Sequence, residues 1–563
     1  SNPGASVNHL ITGEIIALPG ADLTVTNVGG ATPSTLVLAP TATTGSRWEN
    51  TTIGTNGRLQ IGNNTRGFIG TGNVTNNGTL ITNTNNGLLV LGNPISGAGN
   101  FLQARNTVFL TADNNYSGTT TVGSETIANA AVELRIGNDT YTGSIGTGAL
   151  VVQAVTAGNA TVRTHLIADT NFANDLTLNP NTDGTTARHA YFIRNGLGNL
   201  AITGNVSIGS TSAAPGTQRA ILRSTDSGYG KLIFNPASFN GDATHVMNIE
   251  NNGAVVFSGS GSYDYHGVLS GDNIWVFDNT GTTTLRGVNT ANSANAYLRK
   301  GTLVLGTGGV NTWVDSGDLH VLNGATLSVA GNETFDVLYT QRGATVDLAA
   351  GATLTLDWGI PAANGAMLAG AFTGSGNLSI ANGNYLAMYG TNTATGTISI
   401  AGAVQSANLT NALGSFTGPI TLGAGTIAGG LEYVGSGETF AKNITLAGTG
   451  SSYIAANGNG ALTLSGNLTA SSSSTLRLIG QTGGFFNPIK NTISGAITEG
   501  ANTLALSMPA TANDDRFGIT GRWALTNAGN DFHGNVTVNV GMLEFGGDLG
   551  TGGSVATSQL GDL

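Results

Sequence analysis

The chain has 563 residues, a formal net charge of −11 and a low content of charged residues, 9%. Its 20 Lys and Arg residues are nearly all scattered singly, which argues against a nucleic-acid partner because phosphate binding needs clustered positive charge. The chain has no cysteine and no apolar run of about 18 residues, so we expect neither disulfides nor a transmembrane segment.

Short β-strands are predicted throughout the chain. Val, Ile and Leu alternate with Thr and Ser, as at 352–357 and 461–465, and this period of two places one set of side chains inward. Gly-Asn, Asn-Gly and Gly-Ser pairs separate the strands, because tight turns need residues that tolerate positive φ. A hydrophobic content of 39% argues against disorder. No convincing amphipathic helix exceeds about two turns.

One phrase recurs along the chain. The repeated phrase begins with a hydrophobic residue close to Ser-Gly or Thr-Gly. Further glycine and threonine residues follow, and the phrase ends in short predicted strands. Self-similarity of this kind indicates stacked units rather than one compact core, with roughly 20–25 residues in each coil. The recognisable copies lie near 95–152, 268–310, 372–427 and 493–563.

These copies resemble the autotransporter-associated β-strand repeat of secreted passenger proteins of Gram-negative bacteria. The family pattern is I-x-G-x-G, then N-x-Y-S-G-x-T-x-V, then G-x-L and a closing L-G. The copy at 95–152 matches best, with Asn115-Tyr116-Ser117-Gly118-Thr119, and the copy at 493–563 has Phe532 and His533 in the Tyr-Ser positions. The middle copies keep the glycines and strands but lose Tyr-Ser. The resemblance implies a parallel β-helix exported to the cell surface.

We therefore predict an all-β chain folded as a right-handed parallel β-helix, or β-solenoid, that forms an elongated rod. No Pro-rich linker or charge run interrupts the chain, so 1–563 is predicted to be a single continuous β-solenoid, with loops near Pro215 and at 359–365. Because it begins at Ser1 and stops within what resembles the closing L-G signal, we expect it to be a piece of a longer protein.

Candidate catalytic and metal-binding residues are sparse. None of the seven histidines has the spacing of a metal site, and turn roles are favoured for His266 and His533, each of which has a near carboxylate. Asp514 and Asp515 with Arg516 form the densest charged group, but adjacent strand residues point to opposite faces, which spoils a catalytic carboxylate pair. We predict no catalytic, cofactor-binding or metal site and no cofactor.

Aromatic and asparagine side chains support two further predictions. Aromatic residues concentrate in the middle third, where exposed rings in a row would stack on sugars, although packing in the core is the simpler interpretation. Asn side chains are expected to form ladders, with amide bonded to amide from coil to coil. The aromatic residues concerned are Tyr263, Tyr265, Trp275, Phe277, Trp313 and Trp358.

The function predicted from these features is an extracellular structural or adhesive rod on the surface of a Gram-negative bacterium. Its predicted partners are other copies of itself, in an oligomer or fibre, or cell-surface and matrix glycans. The stretch 358–431 has no charged residue, so it lacks the charges that normally protect a sheet against association. Thr397 and Ser399 are predicted to point outward there, because Ile398 and Ile400 point inward.

Two alternatives stay open. A polysaccharide lyase or glycosidase on the same fold would need carboxylates, Arg and Lys converging in a cleft on one face, and the low overall charge argues against it. A phage tail-fibre segment would share the composition rich in Gly, Asn and Thr, but the Tyr-Ser-Gly-Thr repeat favours the bacterial passenger.

Overall fold

The computed structural model describes much of the chain, which divides into two compact units, Ser1–Ala291 and Asn292–Leu563. The predicted loops near Pro215 and at 359–365 lie outside the described residues, and the continuity of the solenoid over 1–563 stays a prediction. The described residues are 8–13, 15, 17–27, 33–40, 48–124, 131–137, 143–155, 157–182, 186–209, 218–225, 230–271, 274–289, 295–308, 312–313, 318–357, 366–480, 489–508, 521–539, 541–546 and 555–557.

In the first unit, the largest sheet has 15 strands. Its main path consists of Asn8–Ile11, Thr35–Leu38, Arg58–Thr65, Thr79–Leu91, Asn100–Leu110, Val132–Ile136, Ala160–Leu166, Ala190–Gly196, Ala220–Ser224, Met247–Asn251 and Leu269–Ser270. Its branch, which pairs with the strand Asn100–Leu110, consists of Thr120–Val122, Leu150–Gln153, Leu176–Asn179 and Val206–Ile208.

The other strands of the first unit form smaller groups. A four-stranded sheet consists of Leu23–Val25, Thr51–Ile53, Val74–Asn76 and Ile95–Ser96. Another face consists of Thr170–Phe172, Leu200–Ile202, Lys231–Phe234, Ala254–Phe257 and Trp275–Phe277, and a further parallel pair is Tyr263–Tyr265 with Thr282–Leu285. Asn181–Thr182 and Ala187–Arg188 pair antiparallel, whereas the other described strand pairings of this unit are parallel.

In the second unit, the strands form four parallel stacks. The longest consists of Ala296–Leu298, Asp318–Val321, Val337–Thr340, Ala366–Leu368, Tyr385–Met388, Ala403–Ser406, Gly430–Tyr433, Ser451–Ala456, Ser474–Gly480, Leu504–Met508, Val536–Val538 and Val555–Thr557. The second stack consists of Thr302–Leu305, Thr326–Val329, Thr345–Leu348 and Ala371–Gly374. The third stack consists of Glu333–Phe335, Thr353–Leu356, Asn377–Ile380, Ile398–Ile400, Ile420–Gly425, Ile444–Gly448, Leu468–Ala470 and Ile497–Thr498. The last is Ser436–Phe440, Gly460–Leu464, Lys490–Ile493, Arg522–Leu525 and Met542–Phe545.

Each strand pairs with a strand of the next coil, so the shift between paired residues is the length of one coil. Tyr385 pairs with Ala403, a shift of 18 residues, whereas Ala190 pairs with Ala220, a shift of 30 residues. The predicted coil length was therefore too narrow a range, because turns of different lengths join the strands. The long parallel stacks confirm the predicted all-β parallel β-helix.

The core is made of columns of aliphatic side chains. In the strand Thr353–Leu356, Leu354 and Leu356 are fully buried, while the alternating Thr353 and Thr355 are half-buried. Leu354 pairs with Leu378, which pairs with Ile398 in the following coil. Because burying each such side chain contributes about 1.5–3 kcal/mol, these columns hold successive coils together.

An asparagine side chain closes a hydrogen bond in all four repeat copies. In each copy, its Oδ1 accepts the backbone N–H of a residue near the opening of the phrase, at 2.8–2.9 Å. The middle copies, which lack Tyr-Ser, therefore keep the asparagine bond. We call this bond the asparagine latch, and its donor and acceptor pairs are Ile95 and Asn114, Leu269 and Asn289, Phe372 and Asn392, and Ile497 and Asn530.

The predicted amide-to-amide bond between coils occurs at Asn179, whose Nδ2 donates to Gln153 Oε1 of the preceding coil at 3.0 Å, but other asparagines connect coils through the backbone instead. Asn443 Oδ1 accepts the backbone N–H of Asn467 at 2.8 Å, and Asn467 Oδ1 accepts the N–H of Ala496 at 3.0 Å. The acceptor of each bond is a side chain, but the donor is the backbone of the next coil. The physical reason is that turn N–H groups have no partner within the sheet ladder, so each needs a side-chain acceptor.

The repeat glycine is required by close backbone contact. Gly148 lies against Gly118 of the preceding coil, and a Cβ placed on Gly148 would lie 2.2 Å from the Gly118 carbonyl oxygen. No side chain fits at that distance, so the stacking of the two turns depends on glycine. Tyr116 of the same phrase is fully buried, with its hydroxyl 2.6 Å from Thr120 Oγ1.

One short α-helix, Leu409–Leu413, occurs in the described residues. Asn408 caps its N-terminus, and its side chain accepts the N–H of Asn411 at 2.8 Å. The Glu438 carboxylate accepts the N–H groups of Leu409 and Thr410 at 2.8 and 2.6 Å, which places negative charge at the positive end of the helix. The helix is shorter than two turns, as the sequence predicted.

Candidate functional site

His266 and His533 each lie beside a carboxylate, on different parts of the chain. His266 Nε2 is 3.6 Å from Asp264 Oδ1, and the same carboxylate receives two bonds from Arg286, at 2.6 and 2.8 Å. His533 Nδ1 is 2.6 Å from Glu499 Oε1. Each carboxylate is already paired, so neither site has a free acid or base aimed at a cavity.

The Glu499 carboxylate contacts two other residues of the last repeat copy. Its carboxylate also accepts the backbone N–H of Leu504 at 2.6 Å. Burial raises the pKa of this carboxyl, but the hydrogen bonds from Leu504 and His533 together outweigh burial and hold its pKa below the ordinary value. The carboxylate therefore stays charged and fixes the turn against the strand.

The charged group at 514–516 lies outside the described residues. Within the described ranges, no three His, Asp or Glu side chains come close enough to hold a metal ion. In that same part of the chain, no helix is both long and apolar enough to cross a membrane.

The aromatic residues predicted either to pack or to stack on sugars are in the core. Phe257 and Phe277 stack face to face with ring centres 4.9 Å apart, and the neighbouring rings pack around them. The core interpretation was therefore correct for every described member of the group, since an enclosed ring has no face for a ligand. Five of the predicted residues are at most 4% exposed, namely Tyr263, Tyr265, Trp275, Phe277 and Trp313, and Trp358 lies outside the described residues.

The uncharged stretch has the predicted orientation where the structure describes it, at 366–431. Ile398 and Ile400 are buried, and Thr397 is exposed. Ser399 is half-buried and also faces away from the core. Thr397 Oγ1 donates to Asn377 Oδ1 of the preceding coil at 2.7 Å. The outer surface of these coils is therefore polar without being charged.

A chain of hydrogen bonds between tyrosines lies on the outer face of the longest stack in the second unit. Tyr389 donates its hydroxyl to Gln405 Oε1 at 3.0 Å. Gln405 Nε2 in turn donates to the hydroxyl of Tyr385, and Tyr385 donates that hydroxyl to Glu432 Oε2. We call Tyr385, Tyr389, Gln405, Glu432 and the neighbouring Tyr453 the tyrosine network.

The tyrosine network is centred on a buried carboxylate. Glu432 is only 4% exposed, and its other oxygen accepts from Asn457 Nδ2 at 3.0 Å. Burial raises the pKa of Tyr385 strongly, and the bond to Glu432 raises it further, because a tyrosinate beside a carboxylate is doubly unfavourable. Tyr385 therefore keeps its proton and remains a donor to Glu432.

Two rings of the network lie along the sheet. Tyr385 pairs with Ala403, and Ala403 pairs with Gly430, yet the Tyr385 hydroxyl reaches the strand of Gly430 through Glu432. The side chains of Tyr385 and Glu432 therefore meet above the intervening strand and together span two strand spacings, about 9.5 Å. Tyr453 covers Gly430, where an added Cβ would lie 2.2 Å from the ring atom Cζ.

A row of charges lies on the largest sheet of the first unit, although the sequence suggested scattered cations. Glu133 accepts from Arg135 at 2.9 Å and from Arg163 at 2.8 Å. Two coils beyond Arg163, Arg223 pairs with Glu250. The guanidinium of Arg223 also lies over the ring of Tyr191, 5.1 Å from its centre. Parallel stacking aligns these charges on one face from separate coils.

Sequence reasoning missed both surface groups. Tyr385 and Glu432 are 47 residues apart, and the arginines that align on one face come from different coils. The four-residue spacing of Tyr385 and Tyr389 is the one local signal of the network, and that spacing is common in any sequence. The sequence does not give the register in which successive coils pair, and that register decides which of these residues meet.

Comparisons with known proteins give one informative likeness. Over 378 residues, 59% of this chain, the sequence is 28% identical to the adhesin BmaC autotransporter of Brucella suis biovar 1 (strain 1330). The match spans about a tenth, 10%, of that much longer protein. No family model and no solved structure matches the chain. The likeness supports a passenger-like character for the chain, similar to an autotransporter adhesin.

Proposed function

We propose that this chain is an adhesive segment of a passenger protein exposed on the surface of a Gram-negative bacterium. The observation that supports this most is the likeness, over 378 residues, to a protein named as an adhesin and autotransporter. The fold suits the role, because parallel stacking pairs the backbone groups of each coil with the next and needs no disulfide to hold an exported chain together.

The proposal is tested by adhesion of the purified chain. Beads coated with the 563-residue chain should be retained on cultured eukaryotic cells or on matrix-coated wells more than beads coated with an unrelated acidic protein. The acidic control matters because net charge alone changes bead retention. Equal retention of both beads on every surface would overturn the adhesive role.

Self-association is the finer part of the proposal. The stretch 358–431 contributes to contact between copies, and the support is its lack of Asp, Glu, Lys and Arg. Outer faces of sheets normally carry such residues, which oppose association by repulsion and desolvation. Thr397, exposed in the middle of this stretch, is the position from which the contact is tested.

The geometry supports the alternative of a polysaccharide-active enzyme less than it supports an adhesive role. The row of Glu133, Arg163 and Arg223 brings carboxylate and guanidinium groups to one face, as a polysaccharide-active site would require. Burial raises the pKa of Glu133, but bonds from Arg135 and Arg163 outweigh it and lower the pKa, which is the wrong direction for a general acid. A reducing-sugar assay over a panel of polysaccharides tests this alternative directly.

A further inference from the structure

We infer that the tyrosine network binds uncharged sugar rings of a glycan, an inference that rests on the adhesive function proposed above. The network joins residues of separate strands, Tyr385, Gln405, Glu432 and Tyr453, on one outer face. It therefore exists only in the folded solenoid.

The first support is the orientation of the rings. Tyr385 crosses the strand of Ala403 to reach Glu432, and Tyr453 covers the backbone of Gly430. A ring that lies along a sheet has one face against the sheet and the other toward solvent, and both tyrosines are half-buried. An exposed aromatic face is the surface on which the C–H groups of a sugar ring pack, because it removes apolar area from water without ordering a flexible side chain.

The small residues between the rings are the second support. Ala403 and Gly430 occupy the outward positions that separate Tyr385 from Tyr453 along the stack. A larger side chain at either position would lift the rings off the sheet, and a Cβ at Gly430 would already clash with Tyr453. The backbone therefore keeps the aromatic surface low and flat, as a pyranose ring requires.

The third support is the arrangement of polar groups. The hydroxyl of Tyr385 receives a bond from Gln405 and donates to Glu432, so the ring cannot rotate without breaking both bonds. Tyr389, 47% exposed, stands at the edge of the surface with its hydroxyl held by Gln405. Groups fixed before binding lose little conformational entropy when a ligand arrives.

Charge decides in favour of a neutral glycan. The stretch 358–431, which includes Tyr385, Tyr389 and Gln405, has no Lys or Arg. Arg477 pairs in register with Tyr453 at the edge of the network, and its positive charge offsets the carboxylate of Glu432, so the surface as a whole has no net charge to attract sulfate or carboxylate groups. The buried charge of Glu432 repels an anionic sugar, whereas sugar hydroxyls are donors that tolerate a nearby carboxylate. An acidic glycan would instead be attracted to the arginine-containing face of the first unit.

The test measures binding of the purified 563-residue chain to cellohexaose, chitohexaose and mannohexaose as neutral probes, and to a heparin hexasaccharide as the anionic probe. Saturation-transfer NMR detects the contact, and titration calorimetry gives the affinity. The variants are Tyr453→Ala and Tyr389→Ala. The matched control is Tyr339→Ala on the outer face of the same stack, where the Tyr339 ring is covered by His320 at 4.8 Å, nearly parallel at 16°.

We expect at least one neutral probe to bind, Tyr453→Ala to weaken that binding about tenfold, and Tyr339→Ala to leave it unchanged. Circular dichroism of each variant shows whether the sheet is intact. Binding of heparin alone, binding of no neutral probe, or equal weakening by Tyr453→Ala and Tyr339→Ala would overturn the inference.

The adhesion assay separates this inference from the proposed function. If beads coated with Tyr453→Ala adhere as well as the wild type, the chain is adhesive but the tyrosine network is not its glycan site. If wild-type beads do not adhere at all, the adhesive function fails, whatever the neutral probes show.

Discussion

At the scale of single residues, asparagine side chains accept backbone N–H groups of a neighbouring coil. The asparagine latch occurs in each of the four predicted repeat copies, including the middle copies that lack Tyr-Ser. A backbone N–H without a partner is costly when buried, so a side-chain acceptor at that point selects one register of the strand.

The latch gives a direct prediction for Asn392. Its Oδ1 accepts from Phe372 N–H at 2.8 Å, and its Nδ2 donates to the carbonyl of Ala412 at 2.6 Å. We expect Asn392→Ala to lower the free energy of unfolding by about 1–3 kcal/mol, because both buried partners lose their bonds. Thermal and urea unfolding measure the effect, and Asn382→Ala, at an exposed turn, is the control expected to change little.

Glu499 gives a prediction for pH. Its folded-state pKa lies below the ordinary value of 4.5, so its charged form stabilises the fold above that value, and the contribution is lost as pH falls through the folded pKa. We expect the melting temperature to fall between about pH 5 and about pH 3, and Glu499→Gln to reduce this fall. An equally steep fall in the Gln variant would show that other carboxylates account for acid destabilisation.

At the scale of strands and turns, the distance between coils sets what each position accepts. Turn glycines such as Gly148 contact the backbone of the preceding coil, whereas outward strand positions such as Ser399 are partly exposed to solvent. Composition follows from this difference, because close backbone contact selects glycine and a half-exposed strand selects threonine and serine.

Close contact at Gly148 predicts a large effect from one methyl group. An added Cβ would lie 2.2 Å from the Gly118 carbonyl oxygen, so the two turns must separate. We expect Gly148→Ala to lower the melting temperature by at least about 5 °C. The control is Gly13→Ala, where an added Cβ meets no atom within 4 Å. Similar melting temperatures for the two variants would contradict a packing role for the repeat glycine.

The uncharged outer face predicts association between copies. Lysine at Thr397 and Ser399 would place positive charge on the outer side of the strand while Ile398 and Ile400 keep its core. We expect this double variant to associate more weakly than the wild type, with its circular dichroism unchanged. Sedimentation across salt concentrations measures this. If both proteins stay monomeric, or both assemble equally, the face takes no part in association.

At the scale of the whole molecule, stability rests on repeated burial and backbone pairing in each unit. In the described residues, no cluster of His, Asp or Glu is arranged for a metal, and the sequence contains no cysteine. We expect a chelator to leave the melting temperature unchanged within about 1 °C, since no bound ion would contribute to the folded state. A drop of several degrees would reveal a metal site.

Much of the fold was predictable because it depends on short-range patterns. Alternation in 352–357 correctly placed Leu354 and Leu356 inward, and the same rule correctly oriented Ile398 and Ile400. The aromatic residues of the middle third were harder, because a strand pattern gives the side of the sheet but not the identity of the ring's neighbours. Packing in the core decided their role.

The sequence by itself determined the fold class and the inward and outward faces of the strands. Only the tertiary structure decided which outer residues meet. Tyr385 and Glu432 are 47 residues apart, and the intervening coils have unequal lengths of 18 and 27 residues, from Tyr385 to Ala403 and from Ala403 to Gly430. Side-chain period is a local property of a strand, whereas coil length depends on turns that no repeating pattern specifies, so a surface built across coils cannot be read from the sequence.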